Sequence, residues 1–198
     1  MGTALGALRG SITIYDSTFT VFPHVYRGSH MLRKVRRKQP NSRMCMVCGL
    51  KNPFGLKGSY YELENGDLVC VFRPEEHHQS YPGRAHGGIT AAVLDETIGR
   101  AILGRDGEAV WGVTVEFSIR YRKPIPLGDE LRAVGRITKE SRRMFEGTGK
   151  LILPDGTVAA EASGKYMKMP IEKIADFDVE AQEWRVTEGP DDPKEMEV

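Results

Sequence analysis

The residues best suited to chemistry lie between positions 86 and 103, where a histidine and two glycines open a long apolar run. At 100° per residue, Ala91, Leu94 and Ile98 share one stripe of the predicted helix. Asp95 lies within that stripe. A carboxylate there is costly unless it is hydrogen-bonded, neutralised or placed at a cavity. Asp95 is therefore either a functional acid or a helix-edge carboxylate that reaches water.

The helix that carries Asp95 is apolar on most sides, which predicts that it is buried rather than lying on a surface. Glu96 and Arg100 are spaced i,i+4 and can form an ion pair. We expect the helix to end around Gly104, before a turn at residues 106–107.

Cys45 and Cys48 form a CxxC pair, a pattern that serves either as half of a zinc site or as a redox pair. Zinc would require two more ligands, and the nearby candidates are Cys70, His77 and His78. Because the chain holds no second CxxC, thiols that are buried or lie in a turn are the favoured interpretation, and no metal is predicted.

Length and composition exclude several classes of protein. A chain of 198 residues suits one domain with extensions, and its 28 basic and 27 acidic residues argue against a dedicated nucleic-acid binder. No apolar run is long enough to span a membrane, and no secretory signal is recognisable. Three cysteines fit a reducing compartment, so we expect a cytoplasmic protein.

The chain divides into four segments. The tetrapeptide at 28–31 looks like a cloning scar, so residues 1–30 are interpreted as a vector-derived leader. Residues 31–43 form a basic arm, expected to be solvated, and residues 44–170 form the folded domain. An acidic tail follows at 171–198: its apolar residues could form one face of a short helix, and its last ten residues are expected to be disordered. Arm and tail could pair within an oligomer.

Strand patterns flank the helix, two before it and four after it. The longest alternates apolar and polar residues with a period of two, so that one face should be buried. One helix cannot cover both faces of a six-stranded sheet, so we predict an α+β domain with a curved antiparallel sheet around the helix. Glycines inside the strands indicate close approach of another element. The predicted strands are residues 59–64, 67–73, 113–122, 130–139, 144–153 and 157–168, and the glycines are Gly135, Gly147, Gly149 and Gly164.

The segment QSYPGRAHGGITAAVLDETIGRA resembles the signature of hotdog-fold acyl-CoA thioesterases of the PaaI-like group. Its elements are a loop glycine, a His-Gly-Gly turn and an acidic residue nine positions after the histidine, which here are Gly83, residues 86–88 and Asp95. The strand VTVEFSIRYRKPIPLGDEL is also similar, and the resemblance covers about residues 45–169. It implies a hotdog fold and hydrolysis of an acyl-CoA thioester.

The resemblance also implies roles for individual residues. The helix N-terminus offers N–H groups to the developing oxyanion, with Gly87 and Gly88 as candidates and Gly87 favoured by family analogy. Asp95 would be the general base or the nucleophile. Thr114 matches a family hydroxyl that orients water, or is an ordinary strand threonine. His86 would hold the turn or contact the thioester.

Helix geometry sets Asp95 about 12 Å along the axis from the His86 turn, too far to act on the same atom. In the family the acid of one chain faces the turn of its neighbour, which implies a homodimer or homotetramer. In the loop, Gln79, Ser80 and Gly83 are candidate substrate contacts, although relatives often have asparagine at position 80. The CoA phosphates need cations, for which the candidates are Arg120, Arg122 and Lys123.

The implied reaction requires no cofactor, because CoA is part of the substrate. Two other functions stay open: a non-catalytic module that binds acyl-CoA, and a hotdog hydratase or dehydratase. The usual hydratase signature has a histidine shortly after the aspartate, whereas here Arg100 stands five residues after Asp95, which disfavours that activity.

Overall fold

The structure is a computed structural model that describes residues 31–103, 110–176, 178 and 180–198. The predicted leader at 1–30 and the predicted turn at residues 106–107 lie outside the described residues. The elements are β1 (Leu32–Lys38), β2 (Ser59–Leu63), β3 (Leu68–Phe72), α1 (Gly87–Arg100), β4 (Val110–Tyr121), β5 (Leu131–Glu140), β6 (Met144–Ile152), β7 (Val158–Pro170) and β8 (Glu195–Glu197).

The described strands form one antiparallel sheet in the order β4-β7-β6-β5-β3-β2-β1-β8, with α1 packed against it. All six predicted strands are present, and the fold class is the predicted one. The sheet has eight strands rather than about six, because β1 and β8 extend it. No helix in the described ranges is long and apolar enough to cross a membrane.

Both added strands come from segments that the sequence pattern led us to interpret differently. The basic arm forms β1, which pairs with β2, and is not a solvated arm. The tail is not disordered at its end, because β8 pairs with β1 of the same chain. Met196 of β8 is buried with Tyr61 and Leu63 in a second apolar cluster, and burial of this side chain helps to hold β8. Lys38 pairs with Asp192 of the tail at 2.7 Å.

The predicted helix of the acidic tail is also wrong. Within the described residues a 3-10 turn at Ile171–Lys173 takes its place, and Phe177, one of the apolar residues of the tail, lies outside them. Trp184 instead packs edge-on against Trp111 of β4, with ring centroids 4.7 Å apart, and lies over the Arg100 guanidinium. The tail therefore folds back over the end of α1.

Glycines allow the sheet to approach α1 closely, as predicted. A Cβ atom at Gly135 would lie 2.8 Å from the Thr97 carbonyl oxygen, and one at Gly147 would lie 2.5 Å from the Ile98 side chain. At Gly149 the distance to Ile98 would be 3.0 Å. Larger residues at these positions would push the sheet away from the helix. The helix ends at Arg100, and a turn over residues 101–103 follows.

The period of two in β4 is interrupted. The pairing of β4 with β7 shifts register between Thr114 and Glu116, which leaves Val115 as an extra residue in a β-bulge. Val115 is consequently 58% exposed, although the alternation placed it on the buried face. Tyr121, on the same predicted face, is 50% exposed.

Candidate active site

Asp95 lies on α1 and is half-buried beneath the sheet. The Thr114 hydroxyl donates to both carboxylate oxygens, at 2.9 Å to Oδ1 and 3.1 Å to Oδ2. The Tyr166 hydroxyl donates to Oδ1 at 3.0 Å. The carboxylate thus satisfies the condition for a polar group on an apolar stripe: it is hydrogen-bonded.

Tyr166 of β7 is the residue of this site that the sequence analysis missed. Its ring is fully buried and stacks on Phe145 with centroids 4.9 Å apart. Burial, followed by the nearby Asp95 charge, raises its pKa, so the hydroxyl stays protonated and keeps donating. One signal was available: Tyr166 occupies an inward position of β7, and a buried tyrosine hydroxyl needs a partner. Gly164 leaves room for the ring, since a Cβ there would lie 2.7 Å from it.

The N-terminus of α1 is built by His86. Its side-chain Nδ1 accepts from the Gly88 N–H at 2.9 Å, and its carbonyl oxygen accepts from Ile89 N–H at 3.0 Å. Holding the turn is the first of the two roles expected for His86. Among the described residues no acceptor bonds the Gly87 N–H, so this donor can meet a ligand oxygen, whereas Gly88 is committed to the cap.

Tyr121, at the end of β4, joins the sheet to this turn, because its hydroxyl donates to the Gly87 carbonyl oxygen at 2.7 Å. The basic residues next to it are exposed. Arg122 already donates to Glu161 at 2.6 Å. Arg120 and Lys123 are exposed and make no ion pair within the described parts of the chain.

The loop before the helix is held by its own residues. Gln79 Oε1 accepts from the Gly83 N–H at 2.7 Å, so this side chain, a candidate substrate contact, is used to close the loop. Gly83 has φ +72°, a conformation that favours glycine. Ser80 is exposed, and its N–H bonds the Arg84 carbonyl oxygen.

His78 also stabilises this loop through hydrogen bonds. Its carbonyl oxygen accepts from the His86 N–H at 2.8 Å. Its ring Nδ1 accepts from the Glu75 N–H, so Nε2 carries the proton and donates to the Phe54 carbonyl oxygen. Burial lowers the pKa of His78, which keeps the ring neutral.

The fold therefore brings Thr114 to Asp95, and it forms the His-Gly-Gly turn at the start of the same helix. These two parts do not converge within one chain. Asp95 lies eight positions after Gly87 on the helix, or about 12 Å along the axis.

The CxxC pair meets a partner that the sequence analysis did not name. The ligand atoms of Cys45, Cys48 and Glu96 lie within 4.8 Å of one another, and neither Cys70 nor the histidines 77 and 78 belong to this group. The Cys45 thiol donates to Glu96 Oε2 at 3.1 Å, and Arg100 donates to Glu96 Oε1 at 3.3 Å, the ion pair predicted from their spacing.

Proton sharing within this group shifts its pKa values. The hydrogen bond from Cys45 lowers the pKa of Cys48 to about 5, aided by the Arg100 charge. The same bond, followed by burial and by the Glu96 charge, raises the pKa of Cys45. Burial, then the Cys48 charge, raises the pKa of Glu96 to about 7. Cys48 is therefore the more acidic of the two thiols.

Known proteins resemble the chain in sequence. The family model described as Thioesterase superfamily matches residues 82–160. Acyl-coenzyme A thioesterase 13 of Homo sapiens is 30% identical over 95 residues, which are 44% of this chain and 67% of that protein. Acyl-coenzyme A thioesterase THEM4 of Bos taurus is 29% identical over 123 residues, 60% of this chain and 49% of that one. The chain therefore spans about half the length of the THEM4 relative.

Solved structures show the same fold. A thioesterase superfamily protein superposes with a TM-score of 0.57 and 28% identity, covering 63% of this chain and 60% of that one. A Bacillus halodurans protein solved with CoA gives a TM-score of 0.51 and 27% identity, covering 56% and 72%. The predicted hotdog fold is confirmed by these likenesses together with the packing of one helix against a large antiparallel sheet.

Proposed function

Because this chain belongs to the thioesterase superfamily, we propose that it hydrolyses an acyl-CoA thioester to a free acid and CoA. The observation that carries the proposal is the placement of Asp95, a half-buried carboxylate held by Thr114 and Tyr166. Relatives named acyl-coenzyme A thioesterases and the CoA-bound structure support this class of substrate.

Asp95 acts on the thioester carbonyl carbon either through water or directly. As a general base it takes a proton from water while the water oxygen attacks; the C–S bond then breaks and the proton passes to the departing CoA sulfur. As a nucleophile it attacks the carbonyl carbon, the C–S bond breaks to release the CoA thiolate, and water hydrolyses the resulting anhydride with transfer of a proton to that thiolate. In both routes the two hydroxyl donors fix the carboxylate, and Oδ2 receives only the longer, 3.1 Å contact.

The oxyanion donor in this proposal is the Gly87 N–H. It lies at the first helical position, where the helix dipole adds partial positive charge. Removing one such donor typically costs 10²–10³-fold in rate. Gly88 is a poorer candidate, because its N–H already donates to the His86 ring.

The complete site requires two copies of the chain. Within the described residues β4 hydrogen-bonds to β7 along one side, which leaves the other side of a twelve-residue edge strand available. Proteins normally cover such an edge. A second copy seated there would cover Val115 and bring its own Gly87 turn towards Asp95 beside Thr114.

Arg120 and Lys123 are the proposed contacts for the CoA phosphates. Both are close in sequence to Tyr121, whose hydroxyl donates to the Gly87 carbonyl oxygen, which supports binding of the phosphates near this end of β4. Arg122 contributes less, because Glu161 already accepts from its guanidinium.

The function is tested by assaying the purified protein on a panel of acyl-CoAs for release of free thiol. We expect activity in the wild type and at least ~100-fold lower kcat in Asp95→Ala and Asp95→Asn. Glu146→Gln, which removes an exposed carboxylate paired with Lys139, is the matched control and should keep wild-type activity. Inactivity of the wild type on every thioester, with CoA binding retained, would instead indicate a non-catalytic binding module.

Shared sites are tested by mixing two inactive variants. Gly87→Pro removes the N–H donor while proline remains favourable at the first helical position. The second variant, Asp95→Asn, lacks the catalytic carboxylate but keeps the Gly87 N–H. In an equal mixture whose subunits exchange at random, half of the dimers contain one subunit of each variant. Each of these mixed dimers has one intact composite site out of two, so the mixture should regain about a quarter of wild-type activity. No recovery in a demonstrably mixed sample would show that each site forms within one chain.

A further inference from the structure

The cluster of Cys45, Cys48 and Glu96 lies on the side of α1 that the thioester mechanism does not use. Three side chains of the kinds that bind metals meet there, with ligand atoms within 4.8 Å of one another. Cys48 is fully buried and Cys45 partly so. Two come from the turn that precedes β2, and the third comes from the helix, so the cluster joins two separate parts of the chain.

The turn around the cysteines favours the Cys45 thiolate that forms once a cation displaces the thiol proton. The Val47 and Cys48 N–H groups both point at Cys45 Sγ, at 3.3 and 3.5 Å. Two backbone donors on one sulfur stabilise a thiolate more than a thiol. The tight turn also requires Gly49, because a Cβ atom there would lie 2.3 Å from the Cys45 carbonyl oxygen.

The charges around the cluster balance when a divalent cation is added. Two thiolates and one carboxylate carry three negative charges. Arg100, which is 4% exposed and 3.3 Å from Glu96 Oε1, supplies one positive charge, and a divalent cation supplies the other two. Such neutrality favours the bound state in a buried place.

The two carboxylate oxygens of Glu96 contact different partners. Oε1 accepts from Arg100, while Oε2 faces Cys45 Sγ at 3.1 Å. A cation between Oε2 and the two sulfurs would replace the thiol hydrogen bond and leave the arginine contact in place. Arg100 would then orient the ligand carboxylate, as outer partners commonly do in metal sites.

We propose that Cys45, Cys48 and Glu96 bind a zinc ion, with a water molecule as the fourth ligand. Two sulfurs and one oxygen suit a borderline-soft cation and do not suit magnesium or calcium. Binding releases the remaining thiol proton to solvent. The ion ties the segment before β2 to α1 at the residue next to Asp95, and it takes no part in the thioester reaction.

The proposal is tested first by metal analysis of protein purified without a histidine tag and under reducing conditions. We expect about one equivalent of zinc per chain in the wild type. Cobalt introduced in its place should give the visible bands of a tetrahedral ion and a thiolate-to-cobalt charge-transfer band. Glu96→Gln should keep the fold by circular dichroism but bind zinc at least ~10-fold more weakly.

Cys70→Ala is the matched control, because Cys70 is a buried cysteine outside the cluster. It should keep both the metal and the cobalt spectrum, whereas Cys45→Ser and Cys48→Ser should lose them. The proposal would be overturned if the wild-type protein contained substoichiometric metal and also bound no added cobalt. Equal loss in Cys70→Ala would also overturn it, as would a mass two hydrogens lower in reduced-purified protein, which indicates a Cys45–Cys48 disulfide.

Discussion

Two neighbouring carboxylates on α1 meet opposite kinds of partner. Asp95 is held by the neutral hydroxyls of Thr114 and Tyr166. Glu96 is held by the buried guanidinium of Arg100 and by the Cys45 thiol. The two residues differ by about 100° of rotation around the helix, so one faces the end of the sheet where β4 and β7 pair and the other faces the cysteine turn.

The two kinds of partner have different effects: the hydroxyls position a carboxylate, whereas the guanidinium neutralises its charge. Hydroxyl donors fix the direction of a carboxylate but leave its charge uncompensated, which is what a base or nucleophile requires. A guanidinium compensates the charge, so the carboxylate becomes part of a buried network whose loss is costly. The Asp95 region is therefore suited to chemistry and the Glu96 region to structure.

The largest expected effect is a difference in stability between variants of the two carboxylates. Glu96→Gln removes the carboxylate that pairs with the buried Arg100 and should lower the free energy of unfolding by about 2–3 kcal/mol. Asp95→Asn should change it by less than about 1 kcal/mol, since an amide oxygen still accepts from both hydroxyls. Urea denaturation of the two variants measures both values. Equal losses would contradict the division of roles.

The second effect concerns the two hydroxyls that hold Asp95. Tyr166→Phe and Thr114→Val should each lower kcat about 10-fold, because each removes a donor that orients the carboxylate. Thr114→Ser should restore most of the rate, and Tyr61→Phe, which removes a hydroxyl bonded to Asp192, should leave it unchanged. A rate that Thr114→Ser does not restore would assign Thr114 a packing role.

The smallest effect tests the loop that leads to the Asp95 region. The folded-state pKa of His78 lies below its ordinary value near 6.5, so its neutral form stabilises the fold above that pH. This stability should be lost as the pH falls from about 6.5 through the lowered pKa. His78→Gln should flatten that part of the stability profile in urea titrations, and His77→Gln, at the exposed neighbour, should leave it as in wild type. An unchanged slope in His78→Gln would show that another group titrates.

The sequence was sufficient for features that depend on local pattern. The apolar period predicted α1, alternation predicted β4, and the strand glycines predicted close contact with the helix. Asp95 and the His86 turn stood out because their spacing along one helix can be read directly. Each of these follows from residues within a few turns or one hairpin of each other.

Features that depend on distant partners were missed. Tyr166 reaches Asp95 from a strand 71 residues away, and Cys45 reaches Glu96 across 51 residues, so no local pattern connects them. Charge composition was misleading for the arm and the tail, because β1 and β8 gain their stability from pairing with each other and from buried Met196. The bulge at Val115 follows from the register with β7, which the sequence of β4 alone does not contain.

The pairing of β1 with β8 has a consequence for how the domain assembles. Strands β5, β6 and β7 follow one another through short connections, whereas β1 and β8 come from near opposite ends of the described chain. Closing so large a loop costs chain entropy before the contacts between the strands can form. This edge should therefore form late in folding, after the helix and the central hairpins. In the native protein it should also open first. Backbone amides of β8 should therefore exchange with deuterium well before those of β6, which makes this edge the place where local unfolding begins.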